Sequence, residues 1–112
     1  MGRGGYLGEF EQVVLLAIAH LEDEAYGMRV RAEIESRAKR STTIGAVYAT
    51  LERLVTKGYA RQADMPGGAE RSGLARRFYE ITPAGIAALQ AARELQTRMW
   101  AGLKVKPSRR RS

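Results

Sequence analysis

The chain contains no cysteine and a single histidine in 112 residues. The first absence excludes disulfides, thiol nucleophiles and cysteine-bound metals, and the second excludes a histidine-cluster metal site. His20, the lone imidazole, falls near the end of an expected helix, where its cation would suit the helix dipole. No metal and no cofactor is expected. No apolar run approaches the roughly 18 residues that cross a bilayer. The run Val13–Ile18 follows two glutamates and is too short for a signal peptide. A membrane partner is therefore not expected, and the cytoplasm is the default location. There is no glycine-rich phosphate loop of the P-loop or dinucleotide type and no acidic pair that can be placed in a cleft. An enzyme is not expected.

What is present is globular composition, 45% hydrophobic and 28% charged, in one domain's length. The net charge of +7 is unevenly distributed. Lys104–Ser112 carries five of the 19 cations and none of the 12 anions, so the remainder is close to neutral. Residues 9–24 hold five acidic residues and no Lys or Arg, whereas residues 29–77 hold eleven cations against five anions. One acidic side and one basic side make a footprint suited to a polyanion.

Hydrophobic spacing predicts four helices and a hairpin. Leu7–Leu21 is expected to bury Phe10, Val13, Val14, Ala17, Ile18 and Leu21. A second helix over about Gly27–Lys39 is expected to bury Met28, Val30 and Ile34. In the stretch Thr42–Gly58, TTIGAVYATLERLVTKG, residues Ile44, Val47, Leu51 and Leu54 recur at three, four and three and form one apolar stripe. Thr42 or Thr43 is its expected N-cap and Gly58 its stop. Tyr59–Met65 and Arg76–Ile81 read as short strands joined by a glycine-rich tip carrying Arg71. Thr82-Pro83 then opens a last helix reaching about Gly102. Its later part repeats Ala92, Leu95, Met99 and Leu103 at three, four and four, with Trp100 alongside. A small domain leaves no surface to cover that row, so a second copy of the chain is expected to do so.

This order is that of a winged helix-turn-helix: a mainly α (α+β) fold with an added C-terminal dimerisation helix. The expected division is a flexible segment 1–6, the winged domain 7–82, the dimerisation helix 83–103 and a disordered basic tail 104–112. In such a fold the third helix enters the major groove and the second crosses the backbone. Gly45, Ala46 and Ala49 give that helix a front small enough for close approach. Tyr48 can meet a phosphate or a base edge, or sit half in the core. Thr42 and Thr43 can donate to phosphate, and Arg53 can reach backbone or guanine. Arg71, Arg76 and Arg77 place cations on the wing, suited to phosphate.

These residues also resemble a known family, the PadR-like transcriptional regulators, in their short form with one C-terminal helix. The resemblance is carried by LGEFEQVVLLAIAHL (Leu7–Leu21), EAYGMRVRAEIESR (Glu24–Arg37), IGAVYATLERLVTKGY (Ile44–Tyr59) and RRFYEITPAG (Arg76–Gly85). It implies a homodimeric repressor on a roughly palindromic, double-stranded operator, located at the nucleoid when bound. By position it implies Tyr26 against backbone phosphate, with Gly45 and Tyr48 facing the groove and Arg76 and Arg77 on the wing. It further implies a small aromatic or hydrophobic effector at the dimer interface, where Trp100 occupies the place of an aromatic in short relatives. The wing sequence SGLARR departs from the family in Leu74 and Ala75, where relatives often carry basic residues or proline.

Two other functions fit parts of the sequence. One is a winged-helix module that binds protein; the other is a non-specific nucleic-acid binder driven by Arg109–Arg111. Deleting Val105–Ser112 separates the latter from a specific regulator. The truncated protein is expected to keep its preference for operator over random duplex in a competition gel shift while losing overall affinity. Loss of the preference itself would place recognition in the tail.

Overall fold

A computed structural model describes residues 5–64 and 77–104. The expected hairpin tip with Arg71 and Arg76, and most of the basic tail, lie outside the described residues. Helix α1 spans Glu9–Leu21, α2 Gly27–Ala38 and α3 Ile44–Thr56; strands β1 (Ala60–Asp64) and β2 (Arg77–Ile81) follow, then α4 (Pro83–Trp100). A short 3-10 turn, Glu22–Glu24, fills the connector after α1. The fold is mainly helical with a small two-stranded sheet, as expected.

The core lies between the first three helices and one face of the sheet. Val14, Leu15 and Ile18 of α1 meet Val30 and Ile34 of α2 and Val47, Leu51 and Leu54 of α3, with Ala60 and Tyr79 closing the side. The stripe expected on α3 is buried, apart from Ile44, which is half-buried. Thr43 is the N-cap, its Oγ accepting from the Ala46 N–H at 3.0 Å. Gly58 follows the last turn at φ +83, the left-handed conformation expected there.

Three details differ from the sequence reading. Met28 is 56% exposed, because the α2 stripe is narrower than its composition suggests. Leu15 is fully buried although it falls off the expected face of α1. Gly5 and Tyr6, expected to be loose, are tied down: the Tyr59 hydroxyl donates to the Gly5 carbonyl and Lys57 Nζ donates to that of Tyr6, both at 2.7 Å.

The sheet is antiparallel, with Ala60 opposite Ile81 and Asp64 opposite Arg77. A bridge between Tyr26 and Phe78 extends it to the start of α2, where the Tyr79 N–H donates to the Ala25 carbonyl at 2.9 Å. Helix α4 is anchored to the end of α3 by the Thr-Pro-x-Gly segment. Thr82 Oγ caps the Gly85 N–H at 3.0 Å and donates to the Gly58 carbonyl at 2.7 Å. Gly85 lies so close to the Tyr59 carbonyl that a β-carbon would strike it. Beyond Ala92 the helix is exposed throughout.

One charged side chain is buried among the described residues. Glu11, in the first turn of α1, is 6% exposed. Its carboxylate accepts from Lys57 Nζ at 2.7 Å and Arg53 Nε at 3.3 Å, and reaches back to the Gly8 N–H at 2.8 Å. It thus fastens the first turn of α1 to the last turn of α3. Burial pushes the carboxyl pKa up, but the Lys57 and Gly8 hydrogen bonds, the Lys57 charge and Arg53 outweigh it. The net shift is downward from the ordinary 4.5. The unfolded chain therefore binds this proton more readily than the folded one. The stabilisation is complete above the ordinary value and is lost as pH falls through the lowered one.

Glu11→Ala strands two cations and a backbone N–H. Because Arg53 and Lys57 can still reach water, the cost is expected at the low end for a broken buried pair, about 2–3 kcal/mol at neutral pH. Urea denaturation followed by circular dichroism measures it, and the gap from the wild type should narrow as the pH is lowered. Equal stability of the two proteins at pH 7 would remove Glu11 from its assigned role.

Candidate nucleic-acid interface

The exposed side of α3 is built by the same periodicity that buries its stripe. With Val47, Thr50, Leu51 and Leu54 inside, residues Gly45, Ala46, Tyr48, Ala49, Glu52, Arg53 and Thr56 face outward. Its first turn is open: a β-carbon on Gly45 would meet nothing within 4 Å. Ala46 and Ala49 continue this low surface, so a flat partner can approach the backbone there.

Tyr48 is the one large side chain on that front, 42% exposed. Its ring lies on the first residue of α2, where a β-carbon on Gly27 would collide with the ring and hydroxyl. Gly27 is therefore a requirement of close approach. Tyr26, immediately before it, is half-buried and caps α2. Its ring is inclined at 54° to that of Phe78, with centroids 5.3 Å apart. The structure thus brings Tyr26, Gly27 and Tyr48 together and joins them through Phe78 to Arg77, the exposed first residue of β2. The resulting surface combines the start of α2, whose first turn carries no acidic residue, with the low front of α3. Helix N-termini favour anions through their unpaired N–H groups and dipole.

Thr43 keeps a donor in this surface, since its Oγ accepts the capping hydrogen bond and its O–H remains to give. Thr42 is half-buried, its N–H donating to Glu35 at 3.1 Å. Arg53 is placed differently from the sequence reading. Its guanidinium turns toward α1, with Nε on Glu11 and Nη2 3.1 Å from Thr50 Oγ. A buried carboxylate outbids solvent for this cation.

The basic excess over residues 29–77 is largely spent in the same way. Arg29, Arg31, Arg37, Arg40 and Arg61 also have carboxylates within ion-pair distance, on Glu24, Glu35, Glu33, Glu9 and Glu80. Arg40 holds Glu9 through two hydrogen bonds and lies 5.3 Å from the Phe10 ring centre, clamping the turn before α3 to the start of α1. Net charge counted along the sequence could not reveal these pairings, which join residues up to 46 apart.

Residues 15–91 match the model described as the transcriptional regulator PadR-like family. The chain belongs to that family. It is a DNA-binding transcriptional regulator and not an enzyme, as the sequence reading expected. Among solved structures, this PadR-like chain is similar to H. salinarum RosR in the complex hsRosR-S4, with TM-score 0.68 and 21% identity, covering 88% of this chain and 77% of that one. It is also similar to a PadR-like transcription factor from Bacteroides fragilis, with TM-score 0.68 and 20% identity, covering 80% and 82%. A PadR family regulator from Clostridium difficile R20291 gives 0.60 and 21%, covering 81% and 86%. At such identities the likeness is one of fold. No match is found among curated proteins.

The contact between Gly27 and Tyr48 is testable by a double-mutant cycle. Gly27→Ala is expected to destabilise the regulator by about 1–3 kcal/mol through overpacking. In a Tyr48→Ala background the same substitution should cost almost nothing, because the obstructing ring is gone. Thermal or urea unfolding of the four proteins measures the coupling; additive effects would mean that the ring does not hold α2 against α3.

Proposed function

We propose that this regulator is a homodimeric repressor that reads an operator with α3, grips its backbone with the start of α2 and the wing, and responds to a small effector. The observation that carries the reading is the grouping of Tyr26 and Tyr48, packed over the buried Gly27, with the low Gly45–Ala46–Ala49 front. It is narrow, nearly free of bulky side chains and edged by a helix N-terminus, which suits insertion into a groove about 12 Å wide. Thr42, Thr43 and Arg77 serve as phosphate contacts around it, together with Arg71 and Arg76 on the wing. Arg53 is reassigned from DNA contact to support, because Glu11 holds it.

The dimer is supported by α4. Leu95, Met99 and Trp100 are 49–70% exposed on the later turns of α4, with Ala92 half-buried before them, and Leu103, 58% exposed, lies beyond the helix end. Beside it an open groove of about 540 Å³ runs between α1 and α4, lined by Leu16, Ile86, Leu89 and Ala92. An apolar row of this length next to an apolar groove is an association surface. A second α4 laid there would pair two reading helices, set about one DNA turn apart. Trp100 offers a flat indole on the same surface, its Nε1 donating to Gln96 at 3.2 Å, and is the proposed contact for an aromatic effector. Repression follows if the bound dimer occludes a promoter.

Tyr48→Ala and Arg77→Ala are each expected to weaken operator binding about tenfold at fixed salt while the protein remains dimeric. Leu95→Asp and Met99→Asp are expected to give monomers in sedimentation, with operator binding lost in parallel. Unchanged affinity in the first pair would refute the DNA face, and an intact dimer in both of the second pair would refute the α4 interface.

A further inference from the structure

The sequence suggests a reading helix that begins small and ends basic. In the structure Lys57 is turned onto the buried Glu11 at 2.7 Å, and Arg53, its side chain 55% exposed, pairs with the same carboxylate through Nε at 3.3 Å. The charge left on the outward face of α3 is negative. Glu52 is exposed, one turn beyond Tyr48 and Ala49 and two turns beyond Gly45. Among the described residues it has no ion-pair partner. Its surroundings on that face are Gly45, Ala46, Ala49, Thr56 and Arg53, which is paired with Glu11, together with Tyr48, whose ring is occupied against Gly27. Glu52 is therefore the side chain on this face that combines length with an acceptor pair.

We infer that Glu52 is a specificity-determining residue that selects a cytosine in each operator half-site. The inference rests on α3 being the reading helix. A carboxylate entering a groove walled by phosphates is repelled by every sequence, and the neighbouring cation, Arg53, is paired with Glu11. The repulsion is offset only where a base edge presents a hydrogen-bond donor. In the major groove those donors are amino groups, and the geometry that suits a carboxylate is the cytosine N4 amino group. Glu52 thus lowers affinity for duplexes in general and restores it at the correct base. This is discrimination by penalty on the wrong sites. A surface carboxylate serving only solubility would sit on a face that does not approach a polyanion.

The test is selection of bound sequences from a duplex library by the full-length wild type, Glu52→Gln and Glu52→Ala, with affinity for one random duplex measured at fixed salt. The wild type is expected to hold one cytosine per half-site. Glu52→Gln should move the preference there to adenine, which an amide pairs with through N6 and N7. Glu52→Ala should leave the position unselected, a loss of about tenfold in discrimination. Both variants should bind random duplex several-fold more tightly. Retention of the same base at the same strength by both variants overturns the inference. Ala49→Asp, on the same face, separates the two ways this can happen. If it abolishes operator binding while its thermal melt stays cooperative, α3 reads DNA and Glu52 alone is misassigned. If it binds as the wild type does, α3 is not the reading helix and the inference falls with that assignment.

Discussion

Glu11 fixes where the third helix ends. Its carboxylate is enclosed by the first turn of α1 and the last turn of α3, with Lys57, Arg53 and the Gly8 N–H around it. Lys57 passes the connection on to the Tyr6 carbonyl, so the N-terminal segment, α1 and α3 meet at one point. Taking a carboxylate out of water is costly unless charged donors surround it. Here that demand is met by two cations that would otherwise stand on the outside of α3. One interaction thereby orients the helix and decides which charges it displays.

The opposite end of the helix is fixed by shape. Arg40 holds the preceding turn to Glu9 and Phe10, and Tyr48 lies on a glycine that cannot be replaced without moving its ring. Between the two ends the outward face stays low and carries no free cation. On the proposed reading, affinity for phosphate comes from around the helix: the start of α2, the threonines before α3 and the wing. On the same reading the helix itself discriminates among bases. This division of labour follows from internal ion pairs and not from the overall charge of +7.

Much of the fold was legible in the sequence because it depends on local spacing. The α3 stripe, the Thr43 cap, Gly58 and the Thr82-Pro83 start each rest on residues within a turn of one another. The site was legible only in part. Gly45, Ala46, Tyr48 and Ala49 fall on the exposed face because periodicity puts them opposite the stripe. The environments of Glu11 and Arg53 were not legible, since each is defined by a partner on another helix. A glutamate in the first turn of a helix reads as a dipole partner, which it is, and nothing nearby in the sequence announces that it is also buried. Met28 failed for the related reason that one exposed methionine in an amphipathic helix follows the local pattern yet lies off the packed face. The need for glycine at position 27 was not legible, since its cause, the Tyr48 ring, lies 21 residues away in α3.

The central proposal is that the cations of α3 serve Glu11 and not DNA. The most direct measurement is the salt dependence of operator affinity for the wild type and Arg53→Gln, read as the slope of log K against log salt. Each phosphate contact contributes about 0.9 to that slope. An arginine committed to Glu11 contributes none, so the two slopes should coincide even if Arg53→Gln lowers stability. A slope shallower by about 0.9 for each Arg53 would show that the guanidinium leaves Glu11 for phosphate, and would contradict the account.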